Sequence, residues 1–327
     1  MNDADQRDWD KLEGGEWSFL LVEHPEFADK CDWDKLDGLA WSGLLCKRPQ
    51  FADKCDWSKL DGLAWRLLLE ERPLFARKYR ELVPGEAWSA LLIEHPEFAD
   101  KCDWAKLDGT DWRKLLFRRP EFADKCDWAK LDGEDWRRLL CDAPRFADKC
   151  DWTKLGGEDW SRLLCDYPRF ADKCDWSKLG GGDWSWLLRD RPEFADKCDW
   201  SKFQRGDWGQ LFRCHPEFFS KCDPKRLNCF DWMYLLCEKP EFADKCDWSK
   251  FDNGMAWSRL LRRRPEFADK CDWQRLRGED WVNLLCERPQ FSDRCRWEKL
   301  DREDWAFLLR RQPRFRDKCP PEYLKHL

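Results

Sequence analysis

The sequence holds nineteen cysteines but no C-x-x-C pair, and only four histidines. Zinc and iron–sulfur centres need thiolates or imidazoles clustered at short spacing, so no metal or cofactor is expected. Neither standard phosphate-cradling glycine loop occurs. No stretch alternates apolar and polar residues with period two, which leaves no candidate strands. No apolar run approaches the length of a membrane span. The opening MNDADQRDWDKL lacks the basic and apolar regions of a secretory signal. There is no excess of positive charge either: the net charge is −6, which does not imply nucleic acid on charge alone. Residues 1 to 60 carry 14 acidic and 8 basic groups, and residues 251 to 327 carry 14 acidic and 18 basic. This asymmetry is either drift among solvated side chains or a basis for end-to-end self-association or for a polyanion near the C-terminus.

What the chain does have is a period. P-E-F-A-D-K-C-D-W-x-K-L, read at Pro120 to Leu131, recurs with its proline at Pro25, Pro49, Pro73, Pro96, Pro120, Pro144, Pro168, Pro192, Pro216, Pro240, Pro265, Pro289 and Pro313. The interval is 24 residues, with one of 23 and one of 25. Such a period marks a repeat architecture, in which stacked units share a core none could form alone. Thirteen units fill residues 8–319, between a leader at 1–7 and a tail at 320–327 whose Tyr323 and Leu324 are placed to cap the last unit. The 25 tryptophans supply the apolar area that so short a unit needs.

Twelve cysteines keep one place in the repeat: Cys31, Cys55, Cys102, Cys126, Cys150, Cys174, Cys198, Cys222, Cys246, Cys271, Cys295 and Cys319. Equivalent positions in stacked helical layers lie about 10 Å apart, beyond the ~7 Å reach of a disulfide. They are expected to be reduced packing thiols, which favours a cytoplasmic setting. A second set, Cys46, Cys141, Cys165, Cys237 and Cys286, falls at what is expected to be an exposed position.

Unit 127–150, DWAKLDGEDWRRLLCDAPRFADKC, shows the local logic. Asp132 and Asp135 form a capping box, which starts a helix over 133–142. Trp136, Leu139 and Leu140 make its buried stripe. Pro144 ends it and opens a second, short helix to Cys150. Phe146, Ala147 and Cys150 face inward. In units that keep the glutamate, Glu121 and Lys125 should pair at i,i+4. Asp151 caps a 3₁₀-like turn that returns Trp152 and Leu155 to the core. The product is an all-α solenoid, a superhelix of thirteen units. Units 80–102, 223–246 and 247–271 are irregular, and each is expected to change the stack locally.

With its one good helix, its proline and its shorter helical piece, the unit resembles the leucine-rich repeat variant class, most closely at the L-L-x-x-H-P-E-F of Leu91 to Phe98. That resemblance implies alternating α and 3₁₀ helices. The tryptophan ladder and the D-K-C-D-W string depart from it, so only architecture carries over. Over nearly its whole length the chain is also similar to bacterial tandem-repeat proteins rich in H-P-E-F-A-D-K-C-D-W-S-K-L, a similarity that implies no activity.

Numbering from the helix tryptophan as zero, positions +3 and +4 are nearly always leucine. Position +2 lies about 200° around the helix from the tryptophan and +5 about 140°, away from the core stripe. Position +2 is occupied by Phe19, Leu67, Lys114, Arg138, Arg162, Trp186, Gln210, Tyr234, Arg259, Asn283 and Phe307, among others, and +5 by residues that include Arg262 and Arg310. A constant scaffold with one chemically arbitrary exposed stripe suits modular recognition, and tryptophan, tyrosine and arginine are typical interface anchors. His24, His95 and His215 precede repeat prolines and are expected to cap helix C-termini. No carboxylate pair is singled out for acid–base chemistry. The expectation is a non-enzymatic scaffold for a protein or peptide partner, with no membrane partner. A nucleic-acid reader using the same arginines and aromatics is one alternative. A purely structural or self-assembling array is the other.

Overall fold

The computed structural model describes residues 9–324. The expected leader and His326 lie outside the described residues. Among the described residues every regular element is helical, and the chain is an all-α solenoid whose pattern repeats about every 24 residues. It forms two compact bodies, residues up to 155 and residues from 156 onward. Within each body every unit helix packs on the next.

The helix of the sixth unit spans Gly133–Asp142, as its sequence predicts, and its capping box is complete. Asp132 Oδ1 accepts from Asp135 N at 2.8 Å and Asp135 Oδ2 from Asp132 N at 3.5 Å. Twelve of the thirteen helix tryptophans are less than 2 % exposed. In each regular unit the D-W tryptophan stacks on the helix tryptophan and tilts against the following phenylalanine. In the second unit Trp33 lies 5.3 Å from Trp41 at an interplanar angle of 12°, and 5.5 Å from Phe51. Such pairs add to the area term.

The proline-led segment is not an α-helix. Pro144–Lys149 and its equivalents are 3₁₀, the one α-helical exception being Phe75–Lys78. In Pro144–Lys149 the bonds close after three residues rather than four: Phe146 N donates to Ala143 O and Cys150 N to Ala147 O. The expected Glu121–Lys125 pair is lost as a consequence. At three residues per turn, i and i+4 no longer share a face. Glu121 faces Arg119 at 3.9 Å, and Lys125 faces Asp124 at 3.8 Å. The D-W-x-K segment is a separate 3₁₀ turn, Trp152–Lys154 in its unit, with Asp151 as N-cap.

Three constant letters hold one unit to the one before it. The lysine of D-W-x-K reaches back to two carbonyls of the preceding turn: Lys35 Nζ donates to Asp10 O at 2.6 Å and Leu12 O at 3.1 Å. The same pair of bonds recurs from Lys59, Lys106, Lys130, Lys154, Lys202, Lys250 and Lys299. Where it is arginine, and at His215 and Gln312, the residue before the proline caps the C-terminus of the preceding unit's helix. Arg48 Nε and Nη2 donate to Val22 O at 2.9 and 2.6 Å, and His215 Nε2 lies 3.0 Å from Arg189 O. The expected histidine cap therefore exists at His215, on the neighbour's helix rather than its own. Finally, where a glycine opens the helix, as at Gly38 and Gly278, close approach requires it. A Cβ on Gly38 would stand 2.4 Å from Lys59 O of the next unit, and one on Gly278 2.7 Å from Lys299 O.

The irregular units show how far these rules bend. In the ninth unit Arg205 occupies the glycine position, and the displaced Gly206 takes φ +95°. The helix then begins only at Asp207 and spans six residues, Asp207–Phe212. In unit 80–102 the first tryptophan is missing. Tyr79, in the cysteine place before it, packs on Trp57 with ring centroids 4.1 Å apart. In unit 247–271 the extra residue is absorbed before the helix. Asp252 N donates to Lys250 O, Phe251 O accepts from Trp257 Nε1 at 3.0 Å, and Gly254–Arg263 keeps its ten residues. Pro321–Leu324 forms one further helical turn, with Tyr323 and Leu324 half-buried.

Candidate recognition surface

The stripe is built by subtraction. The tryptophan at zero and the leucines at +3 and +4 enter the core, and the small +1 residue enters the helix–helix seam. Ser185 Oγ at +1 donates to Asp207 O at 2.8 Å, and Ser258 Oγ to Asp280 O at 2.9 Å. Position +2 is left pointing outward. Phe19, Leu67, Lys114, Arg138, Arg162, Trp186, Gln210, Arg259 and Phe307 are exposed there, while Tyr234 and Asn283 are half-buried. Phe19 is 79 % exposed and Trp186 48 %, beside leucines of the same helices that are wholly enclosed.

Position +5 differs from the expectation. Arg310 is exposed and Arg262 half-buried, but Cys46 and Cys237 are buried, and Cys141, Cys165 and Cys286 are half-buried. The wheel of a single helix sets +5 apart from the core stripe, but the next helix covers it. Cys46 Sγ accordingly lies 3.8 Å from Leu67 O. Burial raises the Cys165 and Cys237 thiols to about 11. The repeat-position cysteines are protected in the same way: burial first, and the following aspartate second, push Cys55, Cys126 and Cys246 to about 12. None of the nineteen cysteines is in a disulfide.

Shallow grooves open between successive helices along this face. Trp186 and Gln210 line one of about 310 Å³, with Arg189 stacked 3.9 Å from the Trp186 ring. Asn283 and Phe307 line one of about 520 Å³. Tyr234, Arg259 and Arg262 share one of about 480 Å³ with Arg213. In the first body Glu70, Ala90, Ile93 and His95 border one of about 450 Å³. Phe19, Leu67, Lys114, Arg138, Arg162 and Arg310 line none of these. Arg138 and Arg162 are already engaged, each by the glutamate one turn earlier: Glu134 at 2.5 Å and Glu158 at 2.6 Å. Arg213 and Ile93 belong to this surface although +2 alone does not select them. The signal for both was the variability of +5.

Among the described residues no group of three or more histidine, cysteine or acidic side chains is arranged to hold a metal, and no helix is long and apolar enough to cross a membrane. No family model, curated protein or solved structure matches this chain.

Proposed function

We propose that the chain is a non-enzymatic repeat scaffold that binds a protein or peptide through the +2 stripe and the grooves beside it. The observation that carries this reading is the contrast within single helices. The +3 and +4 residues are nearly always leucine and, apart from Leu20 and Leu309 in the end units, enclosed, whereas most +2 side chains are exposed and include Trp186, Phe19, Leu67 and Phe307. Exposed aromatic and aliphatic groups of this size on a charged, solvated surface mark sites that another molecule covers. A cytoplasmic setting is part of the proposal, supported by nineteen cysteines outside any disulfide.

The test is affinity capture with the intact protein, compared with a variant whose +2 residues are all serine. Partners captured by the first and lost by the second support the reading. An unchanged set of partners overturns it in favour of a purely structural array. Trp186→Ala should weaken capture with little change in Tm, because its ring packs on the exposed face.

A further inference from the structure

We propose that the groove over the ninth to eleventh units binds an extended acidic peptide, with an acidic side chain at each end of the groove and an apolar one between them. This rests on the peptide-binding reading above and names the class of partner for the second body. The groove is lined by Arg213, Tyr234, Cys237, Arg259, Arg262 and Arg263, together with Glu238 and Glu287. The glutamates engage two of the four arginines: Arg262 Nε lies 2.8 Å from Glu287 Oε1, and Arg263 Nη1 3.3 Å from Glu238 Oε1. Among the described residues Arg213 and Arg259 have no carboxylate partner. Arg213 instead stands 5.6 Å from the Tyr234 ring. Two unneutralised guanidinium groups flank a half-buried aromatic ring, on a chain whose net charge is −6. Guanidinium pairs with carboxylate in bidentate fashion, and the aromatic face beneath adds apolar contact.

The repeat also sets a spacing. Arg213, Tyr234 and Arg259 stand on three successive helices, which pack roughly 8–10 Å apart. A polyproline II strand turns once in three residues and rises roughly 9 Å in doing so. Side chains at i, i+3 and i+6 of such a strand therefore face one unit each: acid on Arg213, apolar on Tyr234, acid on Arg259. A nucleic acid fits this groove less well. Its backbone carries a charge at every nucleotide and would pass Glu238 and Glu287, whereas a peptide can present its acids only where the free arginines are.

The probe is a fluorescein-labelled peptide with the core E-P-P-F-P-P-E, titrated into the full chain. Its comparisons are the Q-P-P-F-P-P-Q peptide, the shifted E-P-F-P-P-P-E peptide, and a twenty-nucleotide oligothymidylate. The glutamate peptide should bind at least about tenfold more tightly than its glutamine counterpart and more tightly than the shifted one. Arg213→Gln and Arg259→Gln should each weaken it by about tenfold, and Arg145→Gln, exposed in the first body and outside the stripe, should leave it unchanged. Absence of binding, equal binding of the glutamine peptide, or indifference to both groove substitutions overturns the proposal. So does oligothymidylate that binds more tightly than the peptide and loses affinity in the same two variants, which would make the groove a nucleic-acid site. If the peptide fails while the serine-stripe variant still loses its captured partners, only the acidic-peptide assignment falls. If the peptide binds and capture ignores the stripe, the broader reading falls instead.

Discussion

A lysine that recurs once per unit reads at first as surface charge, yet Lys59 spends its ammonium group on two backbone carbonyls of the preceding unit, Asp34 O at 2.6 Å and Leu36 O at 3.1 Å. Lys59→Met keeps the aliphatic stem and removes the donors. It should cost about 1.5–3 kcal/mol, the range for hydrogen bonds to charged groups, and urea denaturation would measure it. Two glycines of similar helical position should behave in opposite ways. A Cβ on Gly15 meets nothing within 4 Å, so Gly15→Ala should stabilise by about 0.5–1 kcal/mol. Gly38→Ala drives its methyl group against a backbone carbonyl that cannot swing aside, and should destabilise by about 1–3 kcal/mol or more. Thermal unfolding of the two variants side by side checks both. Among the thiols, Cys214 is exposed while the repeat-position cysteines sit half-buried with pKa values raised by burial. A disulfide reagent at mild alkaline pH should modify Cys214 first and reach the ladder only on unfolding.

At the scale of the element, the third helical residue is alanine or aspartate in most units, and the buried aspartates carry a pH dependence. Burial raises the pKa of Asp231, against lowering by hydrogen bonds from the backbone N–H groups of Asn228, Gly209 and Gly206. The folded state thus holds this proton more tightly than the unfolded chain does. Its contribution to stability is full below the ordinary aspartate pKa and is lost as the pH climbs through the raised value. Asp231→Ala, an exchange the repeat itself makes at Ala40 and Ala256, should flatten the fall in stability that sets in above about pH 4, the ordinary aspartate value. Equal slopes in variant and wild type, by chemical denaturation at several pH values, would show that the carboxyl is not the source. Asp56, Asp175, Asp199 and Asp247 have the opposite sign. The neighbouring serine hydroxyls hold them below the usual range, so their contribution is present above the ordinary pKa and is lost as the pH falls.

The sequence made the long helix legible to the residue, because cap, stripe and proline all act within one segment: Asp132, Trp136 and Pro144 suffice. The 3₁₀ form of Pro144–Lys149 was not legible from spacing, since six residues with a proline start suit either helix. The seam was hidden for another reason. Lys59, Arg48 and Gly38 act on atoms 21 to 26 residues away, and only their recurrence in place hinted at a task. Of the candidate surface, the exposure of +2 followed from the helical wheel. The burial of Cys46 and Cys237 at +5 depended on where the next helix lies, which a wheel of one helix does not contain.

On the scale of the molecule, each unit touches its neighbours through the same few bonds, so whole units should be removable where half units are not. Deleting residues 103–126 joins Cys102 to Asp127 in the same register as Cys126 to Asp127. This variant should keep its helical circular dichroism per residue and a cooperative transition. Deleting 103–114 should unfold the first body, because it strands one set of carbonyls and one tryptophan pair without partners.

The seam also gives the stack a polarity. Each unit presents plugs, its lysine and its pre-proline arginine, in one direction, and a socket, two turn carbonyls and an opening glycine, in the other. In the thirteenth unit the socket is filled: Arg302 stands in the glycine position, exposed, and its helix runs the full ten residues Arg302–Arg311. A side chain at that place is met in two ways within the array: the ninth unit gives up the first turn of its helix around Arg205, and the tenth keeps all ten residues, Cys229–Glu238, with Cys229 at the opening position. Adding a unit beyond Arg302 therefore calls for one of these two accommodations, whereas a unit inserted behind an opening glycine needs neither.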